Sequence, residues 1–230
     1  MKWGSRPVSV TLSLVATFAA MNAVTDLIPI SPVLGSQSFL TLGWVFSPLT
    51  GLMLGPVSGG TSCLLATLIE LFLGRPVMAL GPGGLLRSAV ASFETGLLTS
   101  GRWRPASVIL GILILGWLAL PTGREAAAIL VFHLFGLVLT LILRSRMERR
   151  LSSQSRRYVG IAVWAASYCG NIARHLYGNL LFVLVAGLPS QVFLAAMPLT
   201  LLEQVFFSFV SFIIGTPLVR LKLRQATYLG

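Results

Sequence analysis

Apolar residues in this chain fall in long continuous runs, and the segments between runs are short and rich in Pro, Gly and Arg. A helix rising 1.5 Å per residue crosses the hydrocarbon core of a bilayer in about 20 mostly apolar residues, fewer where neighbours shield it. Eight such helices are predicted, at residues 9–28, 39–54, 57–74, 84–100, 106–120, 126–145, 158–187 and 191–218. Pro29 and Pro32 close the first, and Gly55-Pro56 separates the second from the third. Gly74-Arg75-Pro76 and Gly81-Pro82-Gly83-Gly84 bracket the next loop; Pro121-Thr122-Gly123 and Gly187-Leu188-Pro189 mark later ones. Pro48 is expected to kink the short second segment, and the short fifth is a further candidate for tilt or re-entry.

Composition agrees with this pattern. Hydrophobic residues make up 55% and charged residues 10% of the 230, with a mean hydropathy of +0.87, which is too apolar for an ordinary soluble domain. The expected class is all-α: a polytopic transmembrane bundle in the cell membrane, forming one domain over residues 1–230. Met1 to Arg6 is basic and precedes an apolar stretch, but that stretch continues to Ile30 without a short hydrophobic region and cleavage site, so the first helix is expected to be retained. Cys63 and Cys169 lie inside apolar runs with no C-x-x-C or His-spaced partner and read as packing residues, and no cofactor motif is present.

The net charge of +11 would point to nucleic acid in a soluble protein, but here the arginines cluster between apolar runs without interleaved aromatics. That is the distribution of cytoplasmic loops facing anionic membrane lipid. With the N-terminus inside, the inner segments hold Lys2 and Arg6, Arg102 and Arg104, the six arginines from Arg144 to Arg157, and Arg220, Lys222 and Arg224; the outer loops hold only Arg75 and Arg124. This asymmetry predicts eight crossings with both termini cytoplasmic.

Against this background Asp26, Glu70, Arg87, Glu94, Arg174 and Glu203 fall inside hydrophobic segments, where charge is expensive and marks function. At 1.5 Å per residue, Asp26, Glu70 and Arg87 come near the outer ends of their helices, Arg174 in the middle to outer half, and Glu94 and Glu203 near mid-depth. Asn171, His175, Tyr177 and Asn179 share the outer half of the seventh segment, and Trp44 lies on the outer half of the second. A hollow opening outward would collect such a set. Simpler roles stand beside it. Asp26, Glu70 and Arg87 can reach headgroups, and Arg174 can form an internal ion pair with Glu203 or Glu94. His175 has no second His at i+3 or i+4, which speaks against a metal site, and His133 stands alone on an apolar helix as a structural residue.

Small residues form a second pattern. Ala16 and Ala20, and one register on Ala19 and Ala23, give A-x-x-x-A spacing, and Gly51, Gly55 and Gly59 repeat it; such spacing lets helices approach closely. No G-x-x-x-x-G-K-[ST] loop is present, so active transport would draw on an ATPase from another chain or on an ion gradient.

Three stretches resemble the substrate-binding S components of energy-coupling factor (ECF) transporters. They are the opening helix Leu14-Val15-Ala16-Thr17-Phe18-Ala19-Ala20-Met21-Asn22-Ala23; Leu52-Met53-Leu54-Gly55-Pro56-Val57-Ser58-Gly59-Gly60 with Glu70 near the end of its helix; and the closing helix with Pro198, Glu203 and Ile214-Gly215-Thr216-Pro217-Leu218-Val219. The likeness covers residues 9–100 and 158–224, a six-helix core, and leaves 106–145 as an extra helix pair. The resemblance implies a subunit that captures a vitamin or similar micronutrient from outside, docks a transmembrane coupling protein carrying a pair of ABC ATPases, and topples to release its cargo. It places the docking face on Ala16 and Ala20.

The expected function is substrate capture without chemistry of its own. Arg174 and Arg87 would hold an anionic or carbonyl-rich part of the ligand, Glu70, Glu94 and Glu203 would accept from ligand nitrogens or balance the arginines, and Trp44, Asn171, His175, Tyr177 and Asn179 would close around a ring. Two other readings compete. One is a self-contained proton- or ion-coupled permease using Glu94 and Glu203, against which no inverted repeat stands out. The other is a membrane enzyme using Cys169 or Cys63, disfavoured because Cys169 and His175 lie about 9 Å apart along one helix and on different faces.

Overall fold

The computed structural model describes residues 7–32, 39–144 and 146–228, with the side chains of the last helix described to Leu223. Lys2 and Arg6, counted in the charge asymmetry, lie outside the described residues, as does the side chain of Arg224. The elements in chain order are α1 (Val8–Asp26), β1 (Pro29–Pro32), β2 (Phe39–Thr41), α2 (Gly43–Leu54), α3 (Pro56–Phe72), α4 (Arg87–Thr99), α5 (Trp103–Ala119), α6 (Pro121–Glu125), α7 (Leu130–Leu143), α8 (Arg146–Leu151), α9 (Arg156–Ala186) and α10 (Ser190–Tyr228). Each of the eight apolar runs contains a helix, and among the described residues the molecule is an all-α bundle apart from one antiparallel ribbon pairing Pro29 with Thr41 and Pro32 with Phe39.

Three local features differ from the sequence expectation. Residues 29–32, read as the break after the first helix, and residues 39–41, expected to open the second helix, instead pair as the ribbon, with Ser31 opposite Leu40 and an irregularity after Pro29 where a proline cannot donate. The sixth run starts later than expected: Pro121 opens the five-residue α6, and a 3-10 turn at Ala127–Ile129 precedes α7. The closing helix passes through Pro198 and Pro217 without ending and continues to Tyr228.

The 31-residue α9 is the central element, packing against α2, α4, α5, α7, α8 and α10. Its small residues permit these approaches. A Cβ at Gly170 would strike Thr95 and the Ala91 carbonyl on α4, and one at Gly160 would strike Phe212 on α10. Three further glycines bring α2, α3 and α4 together: a Cβ at Gly51 would meet the Ser92 carbonyl, one at Gly59 would meet Ser92 Oγ at 2.6 Å, and one at Gly96 would run into Pro56. The glycine repeat therefore serves internal packing. The α5–α7 pair, which lies outside the six-helix likeness, packs on α9 through Leu110, Ile114 and Leu130 against Tyr168, Ile172 and Leu176.

Two helices, Val8–Asp26 and Ser190–Leu223, are long and apolar enough to cross a membrane by length and composition. At 1.5 Å per residue the 12-residue α2 is only about 18 Å long. Large apolar side chains stand exposed around the bundle while several polar ones lie inside it beside the apolar core. Phe72 is 89%, Leu115 67% and Leu202 67% exposed, while Asn22, Glu94, Asn171 and Gln204 are fully buried.

Candidate functional site

The polar residues converge at one end of the bundle, where α1 and α3 finish, α2 and α4 begin, and the second half of α9 meets the first half of α10. The ribbon returns the chain from Asp26 to Trp44 at this end, and Gly43 makes the join possible, because a Cβ there would collide with the Asp26 carboxylate. The arginine-rich connections after α4 and α7 lie at the opposite ends of those helices.

A hollow of two lobes results. The larger, of about 230 Å³, is lined by Asp26, Thr41, Trp44, Glu70, Arg75, Arg87 and Arg174 with Phe39, Pro76 and Val77. The smaller, of about 60 Å³, has an apolar wall of Phe182, Leu188, Phe193 and Leu199 and a polar rim of His175, Asn179, Thr200 and Glu203. Trp44 and Arg87 line both, so the lobes adjoin. Together they reach the lower end of small-molecule site volumes, about 300 Å³.

Trp44 anchors the partition. Its ring stacks on Phe207 at 5.6 Å, and the Arg174 guanidinium lies 4.4 Å from the ring centroid, a cation–π contact worth on the order of 2 kcal/mol when desolvated. Arg174 Nη1 also donates to Ser47 Oγ at 3.3 Å. The ring is thus already engaged on protein groups, and Trp44 serves as a preassembled wall rather than a free stacking plate. Arg87 lies against the backbone of Gly178, where a Cβ would sit 3.4 Å from its Nε.

Three guanidinium groups face the larger lobe against two carboxylates. Asp26 accepts a short hydrogen bond from Thr41 Oγ1, and Arg75 Nη2 donates to the Asp26 carbonyl at 3.0 Å. Among the described residues, Arg87 and Arg174 form no ion pair, and each keeps a buried Nε without a hydrogen-bond partner; Glu70 Oε1 is buried and unpartnered as well. Unsatisfied buried donors and acceptors are costly, and here they belong to side chains that line the larger lobe. The chemistry fits a small molecule with an anionic group for the arginines and donors for Glu70.

The ion pair considered for Arg174 with Glu203 or Glu94 does not form. Arg174 turns into the larger lobe toward Trp44, whereas Glu203 faces the smaller lobe and accepts from Ser31 Oγ at 2.6 Å, tying β1 to α10. Glu94 and Asn171 do not line the hollow: both are fully buried, and neither side chain has a hydrogen-bond partner. Tyr177 is also turned away, its hydroxyl donating to the Gly83 carbonyl at 3.0 Å. Trp44, Glu70, Arg87, Arg174, His175, Asn179 and Glu203 do come together.

Sequence reasoning missed Arg75, Thr41 and His133. Arg75 follows Glu70 by five residues and was counted only as an outer-loop charge. His133, expected to stand alone, reaches His175 across the α7–α9 contact with 3.2 Å between Nε2 and Nδ1. His133 Nδ1 lies 3.0 Å from the Ile129 carbonyl, so that nitrogen carries a proton; His175 Nδ1 also lies 3.4 Å from the Asn179 amide. Nothing in the spacing along the chain could have paired the two histidines. Among the described residues no three metal-ligating side chains cluster. Cys63 and Cys169 are buried free thiols, and Cys169 Sγ lies 3.4 Å from the Gly136 carbonyl.

Ala19 and Ala23 face the interior of the bundle, whereas Ala16 and Ala20 are exposed on the other side of α1. The two A-x-x-x-A registers therefore have different environments.

No protein-family model matches the chain, and no solved structure matches it. The chain is similar to an uncharacterized protein of Methanocaldococcus jannaschii, 26% identical over 178 residues, which cover 77% of this chain. The match spans 60% of that relative's length.

Proposed function

We propose that this chain is the membrane-embedded substrate-capture subunit of an ECF-type importer, taking up a vitamin or similar small micronutrient. In this reading the eight apolar helices cross or enter the cell membrane with both termini in the cytoplasm. The exposed leucines and phenylalanines then face lipid, and the polar interior is the inside of the bundle. The single observation that carries the proposal is the hollow itself. It lies at the end opposite the arginine-rich connections, which the positive-inside rule places outward, and it gathers side chains from α1, α2, α3, α4, α9 and α10.

The chain supplies binding and no reaction. Arg75, Arg87 and Arg174 receive the anionic part of the ligand, and the apolar wall of the smaller lobe takes its ring or chain. The unpartnered Ala16–Ala20 face of α1 is the docking surface for a transmembrane coupling protein that carries an ABC ATPase pair. Mass spectrometry of the small molecule that copurifies with the detergent-solubilised chain, followed by equilibrium binding of that compound, tests the proposal. Alanine at Trp44, Arg174 or Glu203 is expected to weaken binding, and intact affinity in all three variants would place the site elsewhere.

Glu94 favours one rival. A fully buried carboxyl with both oxygens unpartnered is the kind of group a proton-coupled carrier uses. Uptake by the chain alone in liposomes, collapsing with the pH gradient, would support the carrier over the capture subunit.

A further inference from the structure

We propose that the basic cleft formed by α8 and the start of α9 binds the phosphodiester headgroup of an anionic phospholipid. This inference rests on the multi-pass reading above but uses none of the residues of the hollow. Arg146, Arg149, Arg150, Ser153 and Tyr158 line an open cavity of about 330 Å³.

The local fold explains the convergence. Met147 and Leu151 are buried in the core beside Leu143 and Val159, which pins one side of α8 to the bundle and turns the other outward. Arg146, Arg149 and Arg150, at i, i+3 and i+4, share that outward side. Glu148, the acidic residue of the segment, is directed elsewhere: its Oε2 lies 3.1 Å from where a Cβ on Gly101 would stand. Arg144 is likewise drawn off, lying 5.4 Å from the Trp103 ring centroid. The cleft therefore keeps three guanidinium groups and two hydroxyls with no carboxylate among its lining residues. Arg150 lies 6.0 Å from the Tyr158 ring centroid, which restricts its fork. Forked donors with neighbouring hydroxyls match phosphate oxygens.

Position selects a lipid over a dissolved anion. On α7, Phe135, Val138 and Ile142 form an exposed apolar stripe that ends four residues before Arg146 in the chain, and Tyr158, half exposed, lines the cleft. Acyl chains along that stripe bring a headgroup to the arginines, on the side where the cytoplasmic leaflet carries its anionic lipids. Inorganic phosphate offers the same oxygens without the chains, so the two sources separate experimentally.

The test uses the purified full-length chain in neutral detergent, with thermal unfolding and native mass spectrometry in the presence of phosphatidylglycerol, phosphatidylcholine or inorganic phosphate. Phosphatidylglycerol is expected to raise the unfolding temperature and remain bound, while the other two leave the protein unchanged. Arg149→Gln should weaken phosphatidylglycerol binding roughly fivefold, and the combined Arg146→Gln, Arg149→Gln and Arg150→Gln variant about 100-fold. A response to phosphatidylcholine equal to that with phosphatidylglycerol, an equal response to inorganic phosphate, or unchanged affinity in both the single and the combined variant would overturn the assignment. Retention of the small molecule of the hollow, read in the same spectra, reports on the capture reading separately.

Discussion

Arg174, in the second half of α9, is 5% exposed and held between the Trp44 ring and the Ser47 hydroxyl, whereas Arg146 and Arg149, before the start of α9, stand exposed in a cleft without carboxylates among its lining residues. The same side chain meets two different physical situations. In the hollow, low local dielectric makes each unpartnered guanidinium nitrogen costly and gives a matching ligand group a strong, specific contact. In the cleft, solvent screens the charge, so that several arginines acting together supply what one enclosed arginine supplies alone. The number of arginines in a segment therefore says little about a ligand site. Enclosure and the partners left open say more.

The contrast can be broken most severely at Arg174. Arg174→Met removes a buried charge with its cation–π and hydroxyl contacts, and is expected to cost about 2–5 kcal/mol of ligand binding, roughly 30-fold or more in retained small molecule measured by mass spectrometry. Retention equal to the unmodified chain would mean that the enclosed arginine holds nothing. Next in size, Glu203→Ala frees the Ser31 hydroxyl and should speed amide exchange in the ribbon by roughly fivefold or more, read by hydrogen–deuterium exchange of Ile30, Ser31 and Phe39 to Thr41. An unchanged rate would show that this link does not hold the ribbon over the hollow.

Salt sharpens the comparison further. Raising ionic strength from about 0.1 to 1 M shortens the screening length from about 10 to 3 Å. Lipid stabilisation through the cleft should fall, while small-molecule retention in the hollow stays within about twofold. A parallel loss at both sites would contradict the claim that one is enclosed. The smallest effect on the chain itself is expected for Ala16→Leu on the exposed face of α1, within about 0.5 kcal/mol of thermal stability and without change in ligand retention. If the proposed docking role holds, the same substitution should abolish copurification of a transmembrane coupling protein, and intact copurification would remove Ala16 from the proposed docking surface.

Much of the architecture was legible because continuous apolar runs and Pro–Gly breaks leave few alternatives to helices. The ribbon was not, since Pro29 and Pro32 look like loop residues until Phe39, Leu40 and Thr41 are set beside them. Of the ionisable residues inside the apolar runs, Asp26, Glu70, Arg87, Arg174 and Glu203 line the hollow. Position along a helix does not tell which way a side chain points. Glu94 and Asn171 sit among the buried groups yet face packing surfaces, and Tyr177 turns toward Gly83. The two alanine registers of α1 were indistinguishable by spacing, and only the positions of neighbouring helices separate the buried Ala19 and Ala23 from the exposed Ala16 and Ala20. The His133–His175 contact depends wholly on how α7 crosses α9.

The central claim is that the hollow opens to the outside of the cell and the arginine cleft to the cytoplasm. Single cysteines at Val77, which lines the hollow, and at Ser153, which lines the cleft, can be probed with a membrane-impermeant maleimide on intact cells. Cys63 and Cys169 are fully buried and serve as the unlabelled background. Labelling of Val77→Cys from outside, and of Ser153→Cys only after permeabilisation, is the predicted result. Reaction of both from the same side, or of Val77→Cys only after permeabilisation, would contradict the account.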